Sequence, residues 1–293
     1  MNQQRKSIYS LRRQVLEGCY QTVPSEDETK AGVKPSSLAT NGSNPVLIEH
    51  AQPVLRDMLR VHGAVMPPDD ATPEEVAAYR QKVMSMPIAE LGELRHEALE
   101  RDIYTWFGCV VELADVKNDP QAAYKRLEEQ VGLSLTEQQE RLLDMLDEIV
   151  GTMVERSCPP GKHWEDWDIK GLSKAFEEQF GVAAGDSITR MTDSSEVAVH
   201  LYTRAEEALK EKESEFTSTH FLRLFRSLYL QEIDKQWLEH LGHMDHLRDG
   251  IGLRGYGQRD PKKEYKREGY DLFVQTLQGT KASVVEKMFR VQR

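Results

Sequence analysis

The sequence lacks long apolar runs and has few cysteines. No stretch approaches the roughly 18 apolar residues that a membrane-spanning helix needs, and MNQQRKS at the N-terminus is not followed by the apolar core of a signal peptide. Only three cysteines occur among 293 residues, Cys19, Cys109 and Cys158. Because they are far apart and odd in number, they favour reduced thiols over a disulfide framework. These absences predict a cytoplasmic protein.

Recognisable catalytic and metal-binding motifs are also missing. Gly161-Lys162 lacks the first glycine of a G-x-x-x-x-G-K-[ST] phosphate loop, and neither G-x-S-x-G nor Cys-x-x-Cys occurs. His240, His243 and His246 recur in steps of three, which turns successive side chains by about 60° around a helix and disfavours convergence on one ion. The sequence therefore predicts no catalytic residue, no metal site and no ATP site in this chain.

What the sequence does contain is helical periodicity broken by proline and glycine. The pattern predicts helices over residues 2–17, 46–62, 73–84, 88–115, 121–130 and 136–156. Thr72, followed by Pro73 and Glu75, has the spacing of a capping box, and Thr136 is a second predicted N-cap. Strands do not alternate with these helices, so an all-α fold is expected. Residues 24–45 are rich in Ser, Thr, Gly and Pro and predict a flexible loop.

Charge is distributed unevenly along the chain. The net charge is +3 over residues 1–20 and +5 over residues 254–293, which leaves −19 for residues 21–253 of a chain whose total is −11. A basic C-terminal segment is able to face anionic lipid headgroups or an acidic protein surface, or is simply a solvated helix face. A nucleic-acid partner is not expected, because the net charge is negative and no binding motif is recognisable.

Residues 237–271 read WLEHLGHMDHLRDGIGLRGYGQRDPKKEYKREGYD and carry most of the functional information. Apolar residues on the approach recur in steps of three and four and so share one helix face: Leu230, Ile233, Trp237, Leu241, Met244, Leu247 and Ile251. Closely spaced glycines then end the helix. Asp260 and Pro261 restart it as an N-cap and a first-turn proline. The pattern predicts an αα-hairpin.

The tip of this hairpin combines mobile backbone with side chains that suit a polypeptide ligand. Such groups bind through hydrogen bonds, charge and ring contact. The tip residues are Arg254, Gly255, Tyr256, Gly257, Gln258 and Arg259. From the residues alone, an ordinary helix reversal is the favoured interpretation, since an exposed tyrosine needs no explanation.

Residues 237–271 resemble the two-helix finger of the SecA family, ATP-driven motors that push unfolded preproteins through the bacterial Sec channel. MNQQRKSIYSLRRQVLEG is similar to the start of the family's helical scaffold, and HWEDWDIKGLSKAFEEQFG to the middle of its helical wing. Residues 221–293 fit the returning scaffold helices and the finger. Residues 24 to about 160 fit loosely and exceed the expected wing, so they are interpreted as an insertion.

The resemblance implies long scaffold helices, an αα-hairpin and an inserted helical wing. Residues 1–20 would start the scaffold, residues 21–214 would form the wing with its insertion, and residues 215–293 would form the returning scaffold helices and the finger. It also implies scaffold packing by Trp237, Leu241, Met244 and Leu247, and contact of the six tip residues, Tyr256 above all, with preprotein or channel.

The partners implied by the resemblance are a SecYEG-type channel, unfolded preprotein, the nucleotide-binding domains of SecA and anionic lipids at the inner face of the bacterial plasma membrane. ATP and Mg²⁺ would belong to domains that this chain lacks, so the chain alone is expected to need no cofactor and to be no enzyme. Two other functions stay open. One is a helical adaptor in which residues 230–251 dock another protein's helix, and the other is an inert truncated fragment.

Overall fold

A computed structural model describes residues 1–20, 38–39, 42–64, 72–254 and 260–292, and these residues contain nine α-helices and no strand. The helices are α1 (Asn2–Glu17), α2 (Pro45–Gly63), α3 (Pro73–Ser85), α4 (His96–Phe107), α5 (Pro120–Ser157), α6 (Ile169–Phe180), α7 (Ser194–Ser214), α8 (Ser218–Arg254) and α9 (Pro261–Arg290). The expected all-α fold is confirmed. None of the described helices is long and apolar enough to cross a membrane. The predicted loop over residues 24–45 lies outside the described residues, apart from 38–39 and 42–45.

The predicted caps at the starts of α3 and α9 are confirmed. Thr72 and Glu75 form the reciprocal capping box: the Glu75 amide donates to Thr72 Oγ1 at 3.3 Å, and the Thr72 amide donates to Glu75 Oε2 at 2.8 Å. At α9 the Asp260 carboxylate accepts from the Lys262 amide at 2.9 Å, with Pro261 in the first turn. Both starts satisfy amides that a helix leaves unpaired.

Helix α5 is continuous where the sequence predicts a break. The helices expected over 121–130 and 136–156 are one helix, and Thr136 lies inside it with its hydroxyl donating to the Gly132 carbonyl at 2.8 Å. The prediction that Thr136 is an N-cap is therefore wrong. Gly132 is placed there by packing, because a Cβ at this position would lie 2.8 Å from Ile48 Cγ1 on α2.

The helix predicted over residues 88–115 is also wrong in its extent. The structure divides it into a short 3₁₀ turn at Ile88–Glu90 and α4, which ends at Phe107. Gly108 follows in the left-handed conformation, with φ of 71°, and ends the helix as glycine commonly does. The chain then continues without regular structure to the start of α5.

Backbone contacts divide the chain into two compact units. The first unit comprises residues 1–13, 141–216 and 224–293, and the second comprises residues 14–140 and 217–223. The second unit has a buried apolar cluster of its own, to which α2, α4, α5 and the segment before α5 contribute. Full burial of each large apolar side chain is worth about 1.5–3 kcal/mol. Its largest members include Leu47, Leu55, Leu59, Leu94, Leu99, Ile103, Phe107, Leu127 and Val131.

Polar side chains of α5 hold the ends of α1 and α4 inside the second unit. The Ser134 hydroxyl donates to the Gly18 carbonyl at 2.9 Å, and Gln138 Nε2 donates to the Phe107 carbonyl at 2.9 Å. These bonds satisfy C-terminal carbonyls that lack a partner within their own helices. Two helix ends are therefore fixed on α5 by buried hydrogen bonds.

The three cysteines are free thiols. Burial raises the pKa of Cys109 to about 12 and also raises the pKa values of Cys19 and Cys158 above their ordinary value. Since the thiolate is the nucleophile, all three are poorly reactive at neutral pH.

In the first unit α6 and α7 pack against α9. Phe180 is central to the α6 contact, because its ring lies 4.7 Å from that of Phe176 and 5.2 Å from that of Phe289, measured between centroids. Gln179 Nε2 donates to the Ala282 carbonyl at 2.8 Å and adds a polar contact to the same face. From residue 224 onward, the α8–α9 hairpin belongs to this unit.

Candidate functional site

The candidate site is the hairpin formed by α8 and α9. Its 37 and 30 residues correspond to about 55 Å and 45 Å of helix at 1.5 Å per residue. The predicted contact residues Gly255, Tyr256, Gly257, Gln258 and Arg259 lie outside the described residues. Arg254 is the last residue of α8, and its side chain is likewise outside the description.

The four predicted packing residues lie on the same side of α8 at different depths. Met244 is buried with 2% of its surface exposed, whereas Trp237, Leu241 and Leu247 are half-buried. Gly269 of α9 faces Met244, where an added Cβ would lie 2.8 Å from the methionine Cε. Because glycine presents no side chain, the two helices approach closely at this level.

His240 is a deeply buried polar residue of the hairpin, with 1% of its surface exposed. Its ring stacks on Trp237 with 5.3 Å between centroids, and the ring of Phe273 lies 5.6 Å away. Burial, with a smaller contribution from the charge of His243, lowers the pKa of His240 below its usual range. His240 is therefore neutral at pH 7.

Polar contacts on both sides of the His240 ring connect three helices. Gln4 of α1 donates through Nε2 to the Gly269 carbonyl at 2.7 Å, which turns its Oε1 toward His240 Nε2 at 3.3 Å. An oxygen facing Nε2 requires the tautomer with hydrogen on Nε2. The Thr276 hydroxyl donates to the Leu272 carbonyl at 2.8 Å, and its oxygen lies 3.2 Å from the other ring nitrogen, Nδ1. We call Gln4, His240, Gly269 and Thr276 the basal network.

Two ion pairs also connect α8 with α1 and with α9. Arg12 of α1 pairs with Asp234 of α8 at 2.9 Å, and Lys287 of α9 pairs with Glu232 of α8. Burial alone would raise the pKa of Glu232, but hydrogen bonds from Lys287 and Ser283 outweigh it and hold that pKa below its usual range. The Glu232 carboxylate is therefore ionised although its side chain is 2% exposed.

The sequence indicates that His240 is buried, although a pattern of apolar residues alone does not include it. His240 lies three residues after Trp237 and four before Met244, so it lies on the same face of α8 as these two residues. Leu241 lies on that face too. A histidine on an apolar face is readable as a buried polar group that needs partners. Its partner Gln4 carries no such signal, because it is 236 residues away.

The first turns of α9 form a basic surface. Lys262, Lys263 and Lys266 are exposed, and in the described part of the chain no carboxylate pairs with them. Arg267 is paired with Glu264 at 2.7 Å on the same helix. The three free ammonium groups make this end of the hairpin attractive to anionic groups.

The described residues include no group of three or more His, Cys, Asp or Glu side chains placed to hold a metal ion. Both ring nitrogens of His240 already face oxygen atoms of the protein. The chemistry available in the described part of the hairpin is therefore packing, hydrogen bonding and charge.

Comparison with known proteins identifies the family. Residues 111–292 match the family model described as the SecA Wing and Scaffold domain. The protein translocase subunit SecA of Sorangium cellulosum is 39% identical over 292 residues, which cover 99% of this chain and 28% of that protein. The SecA subunit of Anaeromyxobacter sp. is 41% identical over 194 residues, covering 64% of this chain and 20% of the relative. The SecA subunit of Syntrophotalea carbinolica is 41% identical over 150 residues, which cover 50% of this chain and 17% of that relative.

The chain thus spans between about a sixth and somewhat over a quarter of the length of these relatives. The hairpin and the helices that pack against it lie almost entirely within the matched residues, and α1 precedes them. The family match and the all-α architecture agree with the sequence resemblance. This chain belongs to the SecA family and contains its wing and scaffold domain.

Proposed function

We propose that this chain is the mechanical portion of a SecA-type translocase, in which the hairpin delivers movement to an unfolded preprotein at the mouth of a Sec channel. The observation that carries the proposal is the basal network, since one side chain of α1 contacts both helices of the hairpin. The hairpin can transmit force only if its two helices are fixed to the rest of the protein, and the buried hydrogen bonds of the basal network fix them to α1.

In this proposal the hairpin tip contacts the preprotein. Tyr256 provides ring area and one hydroxyl, which suit successive stretches of polypeptide without regard to sequence. Arg254, Gln258 and Arg259 add charge and hydrogen bonds, and Gly255 and Gly257 give the backbone freedom to adapt.

The energy for the movement would come from ATP and Mg²⁺ bound by nucleotide-binding domains that this chain does not include. The basic surface of Lys262, Lys263 and Lys266 suits anionic lipid headgroups next to a channel, each charge contributing about 1 kcal/mol near such a surface. The chain would then act at the inner face of the bacterial plasma membrane, in contact with a SecYEG-type channel.

The adaptor interpretation receives less support from the geometry. It needs the apolar stripe of residues 230–251 to be open to another protein's helix. Ile233 and Met244 on that stripe are 1% and 2% exposed and already pack inside the first unit. The part of α8 that would dock a partner is therefore occupied by the chain itself.

The test replaces Tyr256 in a full-length SecA motor that carries this segment. Tyr256→Ala should strongly lower preprotein translocation into vesicles containing the channel while basal ATP hydrolysis changes little. The sequence predicts a solvent-exposed tip, and an exposed residue has few contacts to lose, so the free energy of unfolding should fall by less than about 0.5 kcal/mol. Tyr256→Phe should retain most of the translocation, because it keeps the ring area.

Trp237→Ala is the matched structural control. Trp237 packs on His240, so its removal should destabilise the hairpin by roughly 3 kcal/mol and lower translocation together with folding. Translocation at the wild-type rate by Tyr256→Ala would remove the tip from the mechanism and leave the hairpin a structural element.

A further inference from the structure

The first unit contains a cavity between α5, α6 and α9 that the proposed function does not use. Its volume is about 380 Å³, within the range of roughly 300–1,000 Å³ typical of small-molecule sites. Ile149 and Met153 of α5 and Ala175 of α6 contribute apolar surface to its wall. The cavity is therefore large enough for a small ligand with an apolar body.

The cavity exists because three facing positions carry small residues. Ala175 of α6 and Gly279 and Ala282 of α9 all line it. A Cβ added at Gly279 would find its nearest neighbour, Gln236 Oε1, at 3.8 Å, an ordinary contact distance. The helices do not close over these positions, so the space is part of the folded arrangement.

Polar contacts between the helices keep the walls in place. Gln179 of α6 donates to the Ala282 carbonyl of α9 at 2.8 Å, and Lys281 of α9 pairs with Glu148 of α5. Each wall is thus tied to α9 at the edge of the cavity. A cavity held open in this way needs little rearrangement to accept a ligand.

The charged residues at the rim of the cavity determine which charge a ligand should carry. Three charged residues line the cavity, Glu148, Arg156 and Lys281. Glu148 and Lys281 neutralise one another. In the part of the chain that the structure describes, no carboxylate pairs with Arg156. The rim therefore has one uncompensated positive charge, next to an apolar wall and the amide groups of Gln275 and Gln278.

We propose that this cavity binds a single-chain fatty carboxylate, with the alkyl chain against Ile149 and Met153 and the carboxylate at Arg156. A planar guanidinium is the side chain best suited to a carboxylate, and charge-assisted hydrogen bonds are about twice as strong as neutral ones. A two-chain lipid is too large for the volume. The bound chain would contact α5, α6 and α9 together and stabilise their packing.

The experiment titrates dodecanoate, below its micelle concentration, into the full chain labelled with ¹³C at the Ile and Met methyl groups. The methyl signals of Ile149 and Met153 should shift and saturate, while that of Ile103 in the second unit stays in place. Dodecanol, which has the same chain without the charge, should bind about tenfold more weakly.

Variants separate the cavity from the rest of the surface. Gly279→Leu adds a bulky side chain at the cavity wall and should abolish the shifts. Gly151→Leu is the matched control, because it makes the same exchange in α5 at a position with no neighbour within 4 Å, and it should bind as wild type. Arg156→Gln should weaken dodecanoate about tenfold and leave dodecanol unchanged.

Wild-type affinity in Gly279→Leu, or equal affinity of wild-type protein for dodecanol and dodecanoate, would overturn the proposal. Saturation without shifts at Ile149 and Met153 would also overturn it, since the ligand would then lie elsewhere. If Gly279→Leu loses helical circular dichroism, Ala175→Leu fills the same space from α6 and must abolish binding.

Discussion

Gly18 and Gly181 have similar backbone conformations and different surroundings. Both follow a helix in the left-handed region, Gly18 after α1 with φ of 54° and Gly181 after α6 with φ of 70°. A Cβ at Gly18 would lie 2.5 Å from Ser134 Oγ and 3.1 Å from the Gly108 carbonyl oxygen, whereas a Cβ at Gly181 would have no neighbour within 4 Å. The backbone favours glycine at both positions, but only Gly18 also lacks space for a side chain.

Alanine at the two positions should therefore have unequal effects. Gly181→Ala should lower the free energy of unfolding by about 1 kcal/mol, the cost of the left-handed conformation for a residue with a Cβ. Gly18→Ala should lower it by about 3 kcal/mol, because the clash with the α5 side chains adds to that cost. Urea unfolding followed by circular dichroism measures both, and equal losses would contradict the steric argument.

His240 makes stability depend on pH in a defined direction. Its pKa is lowered in the folded chain by burial, while in the unfolded chain it titrates near its ordinary value of about 6.5. As pH falls through about 6.5 the unfolded state takes up a proton that the folded state does not, so the free energy of unfolding decreases until the lower folded pKa is reached.

The measurement is urea unfolding between pH 8 and pH 5 for the wild type and for His240→Gln, which has no titratable ring. We expect the wild-type free energy of unfolding to fall more steeply across this range than that of the variant. Parallel curves for the two proteins would show that His240 has the same pKa in both states.

The pairing of α8 with α9 depends on an ion pair whose partners differ in burial. The Glu232 side chain is 2% exposed and that of Lys287 is 44% exposed. An ionised carboxylate at that depth is stable only with its partner, because the charge has lost its hydration. The Arg12–Asp234 pair between α1 and α8 is 42% and 56% exposed, and each partner remains hydrated without the other.

Lys287→Met should lower the free energy of unfolding by about 2–3 kcal/mol, since the buried Glu232 charge loses its ion-pair partner and keeps the hydrogen bond from Ser283. The double variant Glu232→Gln/Lys287→Met should recover most of this loss. Arg12→Gln is the exposed control and should cost about 1 kcal/mol or less. Equal losses in Lys287→Met and Arg12→Gln would mean that Glu232 is better hydrated than the structure indicates.

The whole chain combines the family's wing and scaffold domain with additional helices. The matched residues are 111–292, whereas α2, α3 and α4 precede residue 111 and belong to the second unit with its own core. The Sorangium cellulosum relative is similar over nearly the entire chain. The residues of these helices therefore lie within the region that is similar in this relative.

The 293-residue chain is expected not to bind ATP with Mg²⁺, because its sequence has no phosphate-cradling loop and no recognisable pair of Mg²⁺ ligands. Calorimetry of the purified chain should give no saturable heat, whereas a full-length SecA protein under the same conditions serves as the positive control. Saturable micromolar binding by the chain would reveal a nucleotide site of another kind.

Local patterns in the sequence determined much of the fold. Helical periodicity and the absence of strand patterns predicted the all-α class, and Thr72 and Asp260 were readable as caps because an N-cap bonds to amides two or three residues away. The hairpin followed from the glycines and the proline that separate its two helices. These features depend on residues that are close in sequence, so the amino-acid sequence alone is sufficient to predict them.

Only the tertiary structure decided the features that depend on distant partners. Gly132 costs a helix about 1 kcal/mol, and α5 nevertheless passes through it because close packing on Ile48 offsets that cost. The basal network joins Gln4 to His240 and Gly269, and the cavity requires small residues on two helices about a hundred positions apart. Side-chain spacing reports which face of a helix is apolar, but the partner of that face is set by how the whole chain packs.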